Sequence, residues 1–84
     1  PIVVGDAEVD RIRAAVQNLL HVIDPRISMH DFRFVRGTTH SNLIFDVAAP
    51  FELELTEAEL CDRISLAVKT LDPSYRTVVT VDRA

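Results

Sequence analysis

Two short stretches limit what this chain can fold into: "HVIDP" at residues 21–25 and "KTLDP" at 69–73. Each closes a segment with helical apolar spacing, and each is followed by a segment with strand-like composition. In the first helical segment the spaced residues are Val9, Ile12, Val16, Leu19, Leu20 and Ile23. In the second they are Leu60, Ile64, Ala67, Val68 and Leu71. Proline disfavours the α conformation in the residue before it, so each Asp-Pro pair is a stop. Asp6 is the expected N-cap of the first helix. Thr56 and Glu59 have the spacing of a capping box opening the second.

Between the helices lie two strand patterns, about Ile27–Val35 and His40–Ala49, joined by the turn "RGTT". "FELEL" reads as a short extended link, and the β-branched run "YRTVVTV" leads to Asp82. The order α-β-β-α-β is an α+β, ferredoxin-like arrangement without its first strand. It predicts a three-stranded mixed sheet with both helices on one face. The strand–helix–strand connection makes the second and third strands parallel, while the hairpin makes the first antiparallel to the second. By analogy with a split β-α-β unit, the first strand is expected between the other two.

Eighty-four residues suit a single domain, with residues 1–5 as a lead-in. Such a chain buries only about 60–65% of its unfolded surface, so a partner surface would help it. The formal charge of -4, with no cluster of Lys and Arg, argues against a nucleic-acid partner. One cysteine, Cys61, excludes an internal disulfide and reads as a small core residue. No apolar run approaches the roughly 20 residues that cross a bilayer. The chain begins at Pro1 rather than Met, which suggests a processed or excised piece. Gly-rich phosphate loops, nucleophile elbows, HExxH and CxxC are all missing from the sequence, so an enzyme is not expected.

The groups that stand out are His30, Asp46 and Asp82. With the first strand running opposite to the others, all three fall at one end of the sheet. Glu59, in the first turn of the second helix, starts near the same end. One imidazole and several carboxylates form a mixed nitrogen and oxygen set suited to Zn(II) or a similar cation. The bland alternatives are a hydrogen-bonded sheet histidine for His30, solvated strand ends for the aspartates and a capping duty for Glu59. His21 suits the negative end of the first helix dipole, and His40 a solvated turn. Register raises an obstacle. Aligning Phe32 and Phe34 with Leu43 and Phe45 turns His30 toward the helices and the two aspartates away, so a shared site requires a β-bulge or coordination around the sheet's end.

"IDPRISMHDFRFVRGTTHSNLIFDV" and "LDPSYRTVVTVDR" together resemble the C-terminal cytoplasmic domain of cation diffusion facilitator transporters. The resemblance runs from about Glu8 to Arg83. It implies a metallochaperone-like tail of a membrane antiporter that exports Zn(II), Mn(II), Fe(II), Co(II) or Cd(II). It further implies a homodimer attached to the membrane domain of its own chain, with metal at the dimer interface regulating transport. His30 matches the family histidine opening "HD-x-R". Asp46 falls where metal-binding members often place a histidine, Glu59 near a helix histidine, and Asp82 on the family carboxylate. Thr80 replaces a histidine, so nitrogen ligands give way to oxygen, which favours a harder ion such as Mn(II) or no tight binding. The alternatives are a metal-independent dimerisation tail and, in another class, a small-molecule-binding regulatory module of the same fold.

Overall fold

The computed structural model describes residues 4–83. Most of the expected lead-in, residues 1–3, lies outside the described residues. The elements follow the expected order: α1 Asp6–Ile23, β1 Ser28–Arg36, β2 Ser41–Ala49, α2 Glu57–Lys69 and β3 Tyr75–Arg83. The α+β, ferredoxin-like reading holds, with a three-stranded mixed sheet and a helical layer.

The two Asp-Pro pairs close similar turns but sit differently: Asp24 is the C-cap of α1, whereas α2 ends at Lys69 with Thr70 as its C-cap, two residues before Asp72. Asp24 leaves the helix with φ -161° and ψ 127°, as its following proline requires. Its carboxylate then accepts from the Arg26 backbone N–H at 2.8 Å. Asp72 accepts from the Ser74 backbone N–H, also at 2.8 Å. Each aspartate thus closes a small turn two residues long and aims the chain into the next strand. Thr56 and Glu59 form the expected capping box, with Glu59 N–H donating to Thr56 Oγ1 at 3.1 Å and Thr56 N–H to Glu59 Oε1 at 2.9 Å. Asp6, by contrast, is not the N-cap of α1. Gly5 occupies that position without a side-chain cap, and Asp6 lies inside the first turn, where its charge still complements the helix dipole. Gly37 is fixed by close approach in the hairpin turn, because a Cβ there would lie 2.4 Å from the His40 carbonyl oxygen.

The strand order differs from the expectation. β2 is central, with β1 antiparallel on one side and β3 parallel on the other, giving β1-β2-β3. The split β-α-β analogy fails because no fourth strand separates β2 from β3 among the described residues. Nothing therefore keeps β2 from pairing directly with the strand its helical crossover delivers. Burial agrees with that central position. β2 alternates buried and half-buried residues along its whole length, as a strand covered on both edges does.

Leu43, Phe45, Val47 and Ala49 of β2 meet Val16 and Leu20 of α1 and Leu60, Ile64 and Val68 of α2 in the core, with Ile27 beside them. Met29, Phe32 and Phe34 of β1 and Tyr75, Val79 and Val81 of β3 pack around that centre. "FELEL" is a turn-containing loop rather than an extended link, with Leu53 N–H donating to Pro50 O. Leu53 and Leu55 pack on the core, while Phe51 stays 73% exposed. Leu71, expected in the α2 stripe, is 41% exposed because the helix ends at Lys69. Cys61 is half-buried, and burial raises its thiol pKa above the ordinary value.

The Asp24 turn makes a pH-dependent contribution that can be measured. Hydrogen bonds from the Arg26 guanidinium, then from its backbone N–H, lower the Asp24 carboxyl from 3.8 to about 2. A depressed folded-state pKa means that the charged carboxylate favours folding. Its contribution is complete above the unfolded value near 3.8 and disappears as pH falls through about 2. Carbon-detected NMR titration should find Asp24 ionising near pH 2. In Arg26→Ala its midpoint should rise toward 3.8; an unchanged midpoint would contradict this account of the turn.

Candidate functional site

The open face of the sheet, turned away from the helices, carries His30, Asp46 and Asp82 of the groups singled out by the sequence. Its rows follow from the register. His30 of β1 pairs with Asp46 of β2, and Asp46 with Thr80 of β3. The next row joins Ser28, Ala48 and Asp82. On the other side, Arg33, Ile44 and Val78 form one row and Val35, Asn42 and Arg76 another.

His30 therefore shares a face with Asp46, contrary to the alignment that turned it toward the helices. A β-bulge makes the difference. His30 pairs with Asp46 but Arg33 pairs with Ile44, so Asp31 and Phe32 together stand opposite Phe45. Asp31 has a φ of 55°, in the left-handed region that aspartate tolerates better than most residues. The extra residue lets Met29 and Phe32 both face the helices while His30, between them, faces outward. Phe32 stacks on Phe45 with centroids 5.9 Å apart, and the Arg13 guanidinium lies 5.5 Å from the Phe32 ring centroid. Core packing on one side thereby fixes the bulge that presents His30 on the other.

Directly paired residues on one sheet face have Cβ atoms about 4.5–5.5 Å apart, and diagonal neighbours are roughly 7–8 Å apart. His30 and Asp46 are a direct pair, whereas Asp82 is one diagonal step from Asp46. His30 Nε2 lies 3.0 Å from Ser28 Oγ, so the ring already has a hydroxyl partner in the adjoining row. His30 and Asp82 are exposed and Asp46 is half-buried. All three gather at the expected rim, since β1 still runs opposite to β2 and β3.

Glu59 lies near this rim but in the helical layer, across the sheet from Asp46. Its carboxylate is held by Thr56, whose backbone N–H and then hydroxyl lower its pKa. Among the described residues, no three His, Cys, Asp or Glu side chains come together closely enough to hold a metal ion. One chain thus offers the His30–Asp46 pair with Asp82 beside it. A shallow hollow at the bulge, lined by Asp31, Phe32, Arg33, Ile44, Phe45 and Asp46, adjoins the pair. His21 lies in the last turn of α1, as expected. His40 is half-buried, with Nδ1 3.1 Å from Thr39 Oγ1.

Sequence reasoning missed Arg83. This half-buried side chain donates from Nη1 to Pro50 O at 2.9 Å and Leu53 O at 3.3 Å, and from Nη2 to Leu55 O. It ties the end of β3 to the loop leading into α2. The position facing the helices was readable from the alternation along β3, but its long-range carbonyl partners were not.

No family model and no curated protein matches the chain. Solved structures do match. The zinc transporter CzrB has a TM-score of 0.77 at 27% identity, covering 98% of this chain and 99% of that one. Its Zn form has a TM-score of 0.76 at 26% identity, covering 95% and 89%. The metal-bound C-terminal domain of the CzcD transporter from Thermotoga maritima shares the fold, with a TM-score of 0.73 at 17% identity over 95% and 94%. In fold and over nearly its whole length, this chain resembles the C-terminal domains of cation diffusion facilitator zinc transporters, as its strand-end motifs imply.

Proposed function

We propose that this chain is the regulatory and dimerisation domain of a divalent-cation efflux transporter, sensing cytoplasmic metal where two copies meet, and that it is not an enzyme. The observation that carries the reading is the direct pairing of His30 and Asp46 on the open face through the Asp31 bulge. An imidazole beside a carboxylate is half of a four-coordinate site, and a second copy would supply the rest. The likeness to CzrB in a Zn form and to a metal-bound CzcD domain supports the same reading.

The fold also favours a metal-dependent approach of two copies. Arg36 at the end of β1 pairs with Glu8 in the first turn of α1 at 2.5 Å, so the N-terminal end of the domain lies opposite the His30 rim. Two copies related by a twofold running along the strands would bring Asp46 and Asp82 toward their own counterparts. Like charges brought together in this way repel, and a divalent cation between them offsets the repulsion. Zn(II) and Mn(II) are the ions to test, with Asp82 and Glu59 as further oxygen ligands from the two copies.

A second reading is a structural dimer without metal. It draws on the absence of a three-ligand cluster among the described residues and on Val35 and Val78, 37% and 55% exposed on the same open face. A small-molecule module is less well supported, because the shallow hollow belongs to the His30–Asp46 region and adds no separate recognition chemistry. Calorimetric titration with Zn(II) and Mn(II), paired with sedimentation in chelator and in metal, separates the readings. Sensing predicts binding heat in wild type, an affinity lower by roughly tenfold or more in His30→Ala, and a mass increase on adding metal. A dimer of equal strength in chelator, with no heat, would leave the structural reading.

A further inference from the structure

We propose that Arg83 is a latch joining the rim of the sheet to the helical layer. It makes the Pro50–Leu55 loop and the first turn of α2 move with the end of β3. Alternation along β3 places Asp82 on the open face and Arg83 toward the helices. A change at the Asp82 carboxylate therefore acts on the backbone that also carries Arg83. The guanidinium passes it to the three carbonyls of Pro50, Leu53 and Leu55.

Those carbonyls span the whole connection between β2 and α2. Immediately after Leu55 come Thr56 and Glu59, whose reciprocal hydrogen bonds start the helix. Among the described residues, the loop is also attached by the half-buried Leu53 and Leu55 side chains and the Leu53 N–H to Pro50 O bond at 3.2 Å. A fork-shaped cation satisfies several carbonyls in fixed geometry, which a lysine ammonium cannot reproduce. With the latch closed, the loop holds Phe51 outward, 73% exposed, beside the rim. The latch therefore controls a surface aromatic as well as the capping carboxylate of Glu59. Loop ordering is a consequence of the fold alone, while its response to metal rests on the sensing reading proposed above.

Hydrogen exchange of the whole chain, for wild type, Arg83→Met and Arg83→Lys, tests the latch without metal. Hydrogen bonds from charged groups are worth enough that Arg83→Met should speed exchange at Leu53, Thr56 and Glu59 by roughly tenfold or more, while core β2 amides change far less. Arg83→Lys should fall between the two and keeps the test open if the methionine variant fails to fold. Unchanged exchange at those amides in either folded variant, or an equal acceleration throughout the domain, overturns the proposal. Adding Zn(II) with calorimetry in parallel tests the coupling. Binding heat with slowed exchange at Thr56 and Glu59 in wild type, lost in Arg83→Lys, supports it. Heat without that slowing overturns the coupling, and absence of heat overturns metal sensing and the coupling that rests on it, leaving the metal-free comparison to decide the latch.

Discussion

Phe45→Ala is expected to cost about 3–5 kcal/mol of stability, among the largest effects of a single substitution in the core. Phe45 is the largest fully buried side chain, 1% exposed, at the middle of the central strand. It touches both layers, stacking on Phe32 within the β1 bulge and packing among the residues of α1 and α2. Truncation removes the transfer free energy of a phenyl ring and leaves a cavity whose walls belong to three strands and two helices, so collapse around it is constrained. Small domains have only about 5–15 kcal/mol in total, so the variant should lose a large fraction of the domain's stability. Urea denaturation followed by circular dichroism provides the measurement. A loss under about 1 kcal/mol would show that the site relaxes freely and that the Phe32–Phe45 contact does not hold the bulge.

Deleting Asp31 should have the second large effect, and one that reaches the candidate site. Without the extra residue, alternation forces the start of β1 to reverse its faces. Met29 would then leave the core margin while His30 turned toward the helices. Losing the partial burial of Met29 costs about 1–2 kcal/mol, and burying an unpartnered polar ring adds about 1–3 kcal/mol. With Met29 only half-buried, the expected total is about 2–5 kcal/mol, with the response of His30 to metal abolished. Asp31→Gly is the control. Glycine accepts the φ of 55° readily, so this variant should keep both the fold and the His30–Asp46 pairing. A deletion as stable as wild type that still binds metal through His30 would refute the role given to the bulge.

The parity of the apolar residues in β1 already contained this bulge. Ile27 and Met29 are odd-numbered and Phe32 and Phe34 are even-numbered, yet all four pack inward. A regular strand cannot do that, so an unpaired residue between 29 and 32 is required. Asp31 is the residue there that best tolerates the left-handed conformation. Alignment of the phenylalanines alone extended their register through the irregularity and placed His30 on the wrong face. The Asp-Pro stops and the Thr56–Glu59 box were legible because their partners are two or three residues away. Asp6 was misplaced by one position, as helix ends often are without a cap hydrogen bond to fix them.

Strand order was harder to read, because it depends on which elements are absent as well as on those present. The hairpin and crossover fixed the directions of all three strands, and that was enough to gather His30, Asp46 and Asp82 at one rim. They could not determine whether β1 or β2 is central. Arg83 was beyond local patterning for a related reason: its carbonyl partners lie 28–33 residues earlier in the chain. The residues that form one half of a site were thus visible, while the layer containing Glu59 and any contribution from a second copy were not.

The most direct test of the central claim is a proton–nitrogen NMR titration of the histidine rings with Zn(II). His30 should respond first and saturably, with a chemical-shift change at a ring nitrogen, while His21 and His40 stay near their starting positions. Asp46→Ala should weaken that response by roughly tenfold, as loss of an adjacent ligand does. A response led by His21 or His40, or an undiminished His30 response in Asp46→Ala, would contradict a site built from this pair.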